Sequence, residues 1–133
     1  LIATPRKVAE GTILPGEACI EGASAGTVIK ANASATFRGV AMRRVDIEST
    51  AAGVIQYNDE DMVALVRRGR VGVEVAETVV AGDPVFFIHT GAGAGNFRND
   101  ADTGNADAIA GAEFITSTAI GGVATINIPS AVA

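Results

Sequence analysis

The sequence predicts an all-β domain, and three observations favour this fold class over a helical one. Hydrophobic residues make up 48% of the 133 residues but aromatic residues only 5%, so aliphatic side chains must supply most of the core. The 16 glycines indicate many short turns, which is typical of many short strands. Val71, Val73 and Val75 alternate with Gly72 and Glu74, which is the period of a strand with one buried face. We expect about eight to ten strands in a single domain, arranged as a jelly roll, a β-sandwich or a β-barrel.

The first part of the chain gives short elements. Residues 1–10 have no clean period and are expected to form an N-terminal arm or an edge strand. Glu17–Ile20 is predicted to pair with Thr27–Lys30, because only a short loop of turn-forming residues separates them. Gly39 interrupts the apolar run that follows, and we expect it to mark a β-bulge.

Residues 58–68 allow two interpretations. Asn58 is a good helix N-cap, and Gly69 could end a short helix over Met62–Arg68. Alternatively, Met62–Arg68 is a strand that turns at Arg68-Gly69 into a second strand, Arg70–Val75. The β-branched and aliphatic residues that lead into this run favour the strand.

The second half continues the β pattern. Gly82 permits a turn, and Pro84 is suited to begin the next strand, Val85–Ile88. Residues 91–107 are rich in Gly, Asn and Asp, which predicts a long loop, and Phe97 is the one large apolar side chain that could pin it to the body. Two further strands, Ala112–Thr116 and Val123–Ile128, are expected to close the domain.

Charge and composition exclude several classes of function. The net charge is −5 and there is no basic stripe, which disfavours nucleic-acid binding. No apolar run approaches the length of a membrane span, and no signal peptide is recognisable. Cys19 is the single cysteine, so an intramolecular disulfide cannot form.

No residue pattern in the sequence predicts catalysis or a cofactor. His89 is the only histidine and Cys19 lacks a nearby cation, so neither has the partners that a nucleophile or a general base needs. The run of residues 91–95 resembles a dinucleotide-binding loop, but Asn96 stands where its third glycine would fall. Asp100, Asp102 and Asp107 form the best oxygen cluster, although their spacing departs from a calcium-binding loop and leaves cation binding open. We therefore predict a protein that is not an enzyme and has no cofactor.

A set of ordered motifs resembles the capsid cement, or decoration, proteins of tailed bacteriophages. Each motif is a turn-and-strand signal, and their order and spacing over residues 37–128 carry the resemblance. In order, the matching segments are Gly39–Ala41, Gly69–Val73, Val79–Val85, Gly95–Phe97, Gly111–Phe114 and Gly121–Ile128.

The resemblance implies a virion protein, made in the bacterial cytoplasm, that binds the outside of the assembled head. It would bridge neighbouring major capsid proteins and stabilise the shell as a homo-oligomer, a dimer or a trimer. An alternative is a phage tail, baseplate or host-surface-binding β module. The candidate interface residues are Arg6, Lys7, Arg67, Arg68, Arg70, Glu74, Phe97, Arg98, Asp100 and Asp102.

Overall fold

The computed structural model describes residues 2–42 and 56–129, and for residues 2–7 the description is confined to the backbone. These residues form nine strands and a single turn of 3₁₀ helix, Asp102–Gly104, which lies between the seventh and the eighth strand. The strands are β1 (Ile2–Ala9), β2 (Ala18–Glu21), β3 (Thr27–Lys30), β4 (Phe37–Ala41), β5 (Met62–Glu74), β6 (Pro84–Ile88), β7 (Phe97–Arg98), β8 (Ala106–Phe114) and β9 (Val123–Ile128).

Five of the strands close into a barrel. The order is β1-β3-β2-β4-β5, and β5 also pairs with β1, which completes the ring. Residues 2–9, for which the sequence allows an arm or an edge strand, are hydrogen-bonded on both sides, parallel to β3 and antiparallel to β5. Because barrel closure removes free edges, β1 is part of the body of the domain and does not project as an arm.

The other strands extend the barrel through β5. The second sheet has the order β5-β9-β8-β6-β7, so β5 belongs to both halves of the fold. Its first half pairs with β1 and β4, and residues 69–74 pair with β9. The expected fold class, an all-β barrel or sandwich of about eight to ten strands, is confirmed.

The strand interpretation of Met62–Arg68 is correct, but the predicted turn at Arg68-Gly69 is wrong. The chain passes straight through this point, and β5 runs for 13 residues. The glycine that we interpreted as a turn instead lets one strand serve two sheets, since Gly69 has a φ of +106° that other residues rarely adopt.

A β-bulge next to Gly69 changes which face of β5 is buried. Val66 and Val73 pack in the same core although their odd separation would place them on opposite faces of a regular strand. Ile2 pairs with Arg68 and Ala3 with Val66, so Arg67 is the extra residue that resets the alternation.

The described residues form two apolar cores, one inside the barrel and one between the barrel and the second sheet. The barrel interior holds fully buried side chains such as Ile13, Tyr57 and Leu65. The larger core joins side chains from β2, β4 and β5 to those of β6, β8 and β9, and the rings of Phe37 and Phe87 stack there with centroids 5.2 Å apart.

Pairing of β2 with β3 is confirmed, and so is a bulge at Gly39, where φ is +146° and an added Cβ would lie 2.8 Å from the Val66 carbonyl oxygen. The expectation of an irregular loop over residues 91–107 is partly wrong, because β7 and the 3₁₀ turn lie within it and β8 begins at Ala106. Phe97 supplies the regularity, since it pairs with Phe87 on β6.

Candidate functional site

The second half of β5 presents one row of exposed residues. From Arg67 onward, exposed positions alternate with half-buried or buried ones, and the exposed row is Arg68, Arg70, Gly72 and Glu74. In register with this row on β9 lie Asn127 opposite Arg70, Thr125 opposite Gly72, and Val123 opposite Glu74. We call the row and these three neighbours the β5–β9 face.

Arginines on β5 differ from the other described cations in lacking acidic partners. Lys30 pairs with Glu17 at 3.3 Å, Arg38 pairs with Glu21, and Arg98 contacts several carboxylates. Within residues 8–42 and 56–129, no such ion pair involves Arg67, Arg68 or Arg70. Among the side chains that the structure describes, uncompensated positive charge is therefore concentrated on β5.

Arg67 adds an unmet hydrogen-bonding requirement. Arg67 as a whole is half-buried at the bulge, and its Nε atom is buried without a hydrogen-bond partner among the described residues. A buried donor without a partner costs stability, typically about 1–3 kcal/mol, and such a group usually has a functional or solvent explanation.

Arg6 and Lys7 belong to β1, which pairs with the first half of β5. The Lys7 backbone is in register with Val63.

Arg98 occupies a different environment, the centre of an acidic cluster. Its Nε donates to Asp100 Oδ1 at 2.7 Å, Nη2 donates to Glu77 Oε2 at 3.1 Å, and Nη1 lies 3.2 Å from Asp102 Oδ2. The Arg98 side chain is only 17% exposed. Arg98 is therefore paired with carboxylates of its own chain. These ion pairs connect the residues after β7 to the segment after β5.

Hydrogen bonds lower the pKa values of two carboxyl groups in and beside the acidic cluster. The hydrogen bond from Arg98 holds the pKa of Asp100 below its usual range. Nearby, the hydrogen bond from the Asn99 side-chain amide and another from the Val80 amide lower the pKa of Asp83. These carboxylates are stabilised in their charged forms, which is consistent with a role in holding neighbouring loops together.

Phe97 lies in the core with no exposed surface. The structure thus places only part of the predicted interface set together. Arg67, Arg68, Arg70 and Glu74 share β5, while Arg98, Asp100 and Asp102 form the separate acidic cluster. Phe97 anchors that cluster from inside, so it is not included in the surface proposed below.

The three aspartates of the suggested oxygen cluster are divided. Asp100 and Asp102 face Arg98, whereas Asp107 lies on β8, where it accepts a hydrogen bond from Ser34 Oγ at 2.6 Å and approaches His89 Nε2 at 3.3 Å. No group of three or more His, Cys, Asp or Glu side chains converges as a metal site within the described ranges.

The two residues with the best catalytic potential are both buried. His89 is 4% exposed, its Nδ1 lies 2.8 Å from Thr90 Oγ1, and its ring meets Phe87 edge-on. Burial raises the pKa of the Cys19 thiol to about 12, and the charge of Glu17 acts in the same direction. The thiol is therefore neutral at physiological pH and unreactive as a nucleophile.

Sequence reasoning missed an apolar groove at the β5–β9 face. Val123 is 70% exposed and Leu14 is 38% exposed, and both line a groove of about 230 Å³ with Pro15, Gly72 and Glu74. Alternation alone could have identified Val123, because Ala124, Ile126 and Ile128 are the inward residues of β9.

The fold and the exposed face together favour one kind of surface. A rigid β-barrel with an attached sheet presents unpaired arginines and an apolar groove, a combination typical of protein–protein contact surfaces. No described helix has the length and apolar character needed to cross a membrane. Such a surface suits contact with another protein.

The chain belongs to the structural cement protein family (E217 gp24/Pam3 gp6), whose family model matches residues 2–128. A chain of the structure described as the capsid of Myoviridae phage XM1 is similar, with a TM-score of 0.78, 25% identity, and coverage of 98% of this chain and 84% of that chain. The N base of head fiber gp8.5 of bacteriophage phi29 shares the fold, with a TM-score of 0.53, 10% identity, and coverage of 99% and 97%. A search of curated proteins finds no match.

These findings confirm the predicted resemblance to phage capsid cement proteins and favour a capsid role over the tail, baseplate or host-surface alternative. The chain is a structural protein of the phage virion, and its family implies a non-enzymatic role.

Proposed function

We propose that the protein binds the outside of the assembled capsid, bridges neighbouring copies of the major capsid protein and so stabilises the head. The observation that carries the docking face is the arginine group of β5. Arg67, Arg68 and Arg70 lack acidic partners among the described residues, whereas Arg98 and Lys30 are paired within the chain.

The energetics favour arginine for such a contact. Its planar guanidinium donates two parallel hydrogen bonds to a carboxylate, and it loses less hydration than an ammonium group when an interface forms. The partner surface is accordingly acidic or rich in carbonyl oxygens.

Stabilisation follows from linkage. A protein that binds the assembled shell and not the separated subunits shifts the assembly equilibrium toward the shell, by an amount that grows with its concentration relative to its dissociation constant. We include in the proposal that the protein acts as a homo-oligomer, a dimer or a trimer, because several weak contacts then act together.

The test mixes purified protein with heads that lack it and, separately, with unassembled major capsid protein. Selective binding to heads, with a rise in their melting temperature, is the expected result. Equal binding to both forms, or no effect on melting, would overturn the proposal.

The docking face is tested by Arg68→Gln/Arg70→Gln, which we expect to weaken head binding by about tenfold or more, since each tenfold corresponds to only about 1.4 kcal/mol. The matched control is Ala25→Asp/Ala33→Asp, which lowers the net charge by the same amount at exposed loop positions away from β5. If both variants bind heads equally well, the arginine row is not the contact. Deleting residues 1–8 would not be informative, because β1 closes the barrel.

A further inference from the structure

We infer that the groove beside Gly72 receives an extended segment of the major capsid protein that carries an acidic, an apolar and a basic side chain at alternate positions. The inference rests on the proposed function and adds the chemistry of the segment that docks.

A positive and a negative side chain lie four residues apart on the β5–β9 face. Arg70 and Glu74 are both exposed, lie on the same side of β5, and have no ion-pair partner among the described residues. At about 3.3 Å of rise per residue, their backbones are separated by roughly 13 Å. One end of the groove region therefore attracts an anion and the other end attracts a cation.

Gly72 lies midway between these two charges, and it leaves the face open there. It has no side chain, it is exposed, and a Cβ added at this position would approach Val123 Cγ1 at 3.3 Å. The backbone of the Leu14–Gly16 turn comes close on the other side, since a Cβ on Gly16 would lie 3.9 Å from the Gly72 carbonyl oxygen. Larger residues at either position would narrow the groove.

The groove itself is apolar where it is most exposed. Leu14, Pro15 and Val123 contribute aliphatic surface that water contacts directly in the isolated chain. Burying such surface against a partner is favourable because it removes apolar area from water. The volume of about 230 Å³ is smaller than the roughly 300–1,000 Å³ of typical small-molecule pockets, so it suits one partner side chain better than a cofactor.

These features match one kind of occupant. In an extended segment, side chains at i, i+2 and i+4 point to the same side and span the same distance as residues 70 to 74 of β5. An acidic residue would meet Arg70, an apolar residue would enter the groove over Gly72, and a basic residue would meet Glu74. A segment with these charges in the reverse direction along β5 would place like charges together, so the face also fixes the direction of docking.

The test compares Glu74→Lys with Glu60→Lys in quantitative binding to heads. Glu60 is also an exposed glutamate without an ion pair among the described residues, and it lies before the start of β5, away from the β5–β9 face, so the two substitutions change charge equally at different places. We expect Glu74→Lys to weaken binding at least tenfold and Glu60→Lys by less than twofold. Val123→Asp should weaken binding similarly without affecting folding, because this side chain is 70% exposed.

The outcomes separate this inference from the function on which it rests. If the wild-type protein does not bind heads, the proposed function fails. If the wild type binds and both Glu74→Lys and Val123→Asp bind equally well, the groove is not used although the function stands. If the variants bind heads normally but lose self-association in sedimentation, the occupant is a second copy of this chain and the inference is overturned.

Discussion

Arg98 is expected to stabilise the fold, because it is paired with carboxylates of its own chain. Its guanidinium contacts Glu77, Asp100 and Asp102, and no other described cation contacts these carboxylates. We expect Arg98→Leu to destabilise the fold by about 1–2 kcal/mol, because hydrogen bonds to charged groups are lost and like charges remain close. Urea unfolding measures the change, with Arg70→Leu as a control that should change stability much less. Equal effects of the two substitutions would contradict the distinction between a paired and an unpaired arginine.

The acidic residues predict how stability changes with pH. Hydrogen bonds from the Ala23 amide and the Thr27 hydroxyl lower the pKa of Glu10, as those from Asn99 and Arg98 lower the pKa values of Asp83 and Asp100. A carboxyl whose pKa is lowered by folding stabilises the native state above its unfolded pKa of about 4, and this contribution is lost as the pH falls through the folded pKa. The melting temperature should therefore fall with acidification below about pH 4.5. The variant Glu10→Gln/Asp83→Asn/Asp100→Asn should start from a lower melting temperature at pH 7 and lose less on acidification. Parallel curves for the two proteins would show that these groups do not contribute.

At the scale of the elements, β5 determines the architecture because it belongs to both the barrel and the second sheet. The transition depends on Gly69, whose φ of +106° is strained for residues with a side chain. Gly69→Ala should cost about 1–3 kcal/mol, whereas Gly72→Ala on the same strand, where φ is ordinary, should cost less than about 1 kcal/mol. Chemical denaturation of both variants gives the comparison. A cost at Gly69 no larger than that at Gly72 would mean that the backbone at Gly69 accommodates a side chain without strain.

The same strand shows what could be predicted from the sequence and what could not. Alternation of Val71, Val73 and Val75 identified a strand, because side-chain period is a local property. Gly69 was misinterpreted as a turn, because a glycine with positive φ serves a turn and a bulge equally well, and only pairing with β1 and β9 distinguishes them. The grouping of Arg67, Arg68 and Arg70 was predictable from their proximity in sequence. The sequence could not predict that these arginines lack acidic partners among the described residues. It could not predict the groove either, because Leu14 and Val123 are distant in sequence and come together only in the folded chain.

At the scale of the whole molecule, the distribution of charge predicts how binding responds to salt. The chain carries a net charge of −5. Within residues 8–42 and 56–129 the arginines without an acidic partner lie on β5, so the proposed contact has the opposite sign to the overall charge of the protein. Salt screens exposed charges over about 10 Å at 0.1 M and about 3 Å at 1 M. Head binding should therefore weaken by about tenfold or more as salt is raised through this range, mainly through slower association. Arg68→Gln/Arg70→Gln should show a shallower dependence, because fewer charges are screened. Val123→Asp should keep the steep dependence while binding more weakly at every salt concentration, because it removes apolar burial and leaves the arginines in place. Occupancy of heads measured by co-sedimentation provides all three curves, and a dependence that is the same for the wild type and the arginine variant would contradict an electrostatic role for β5.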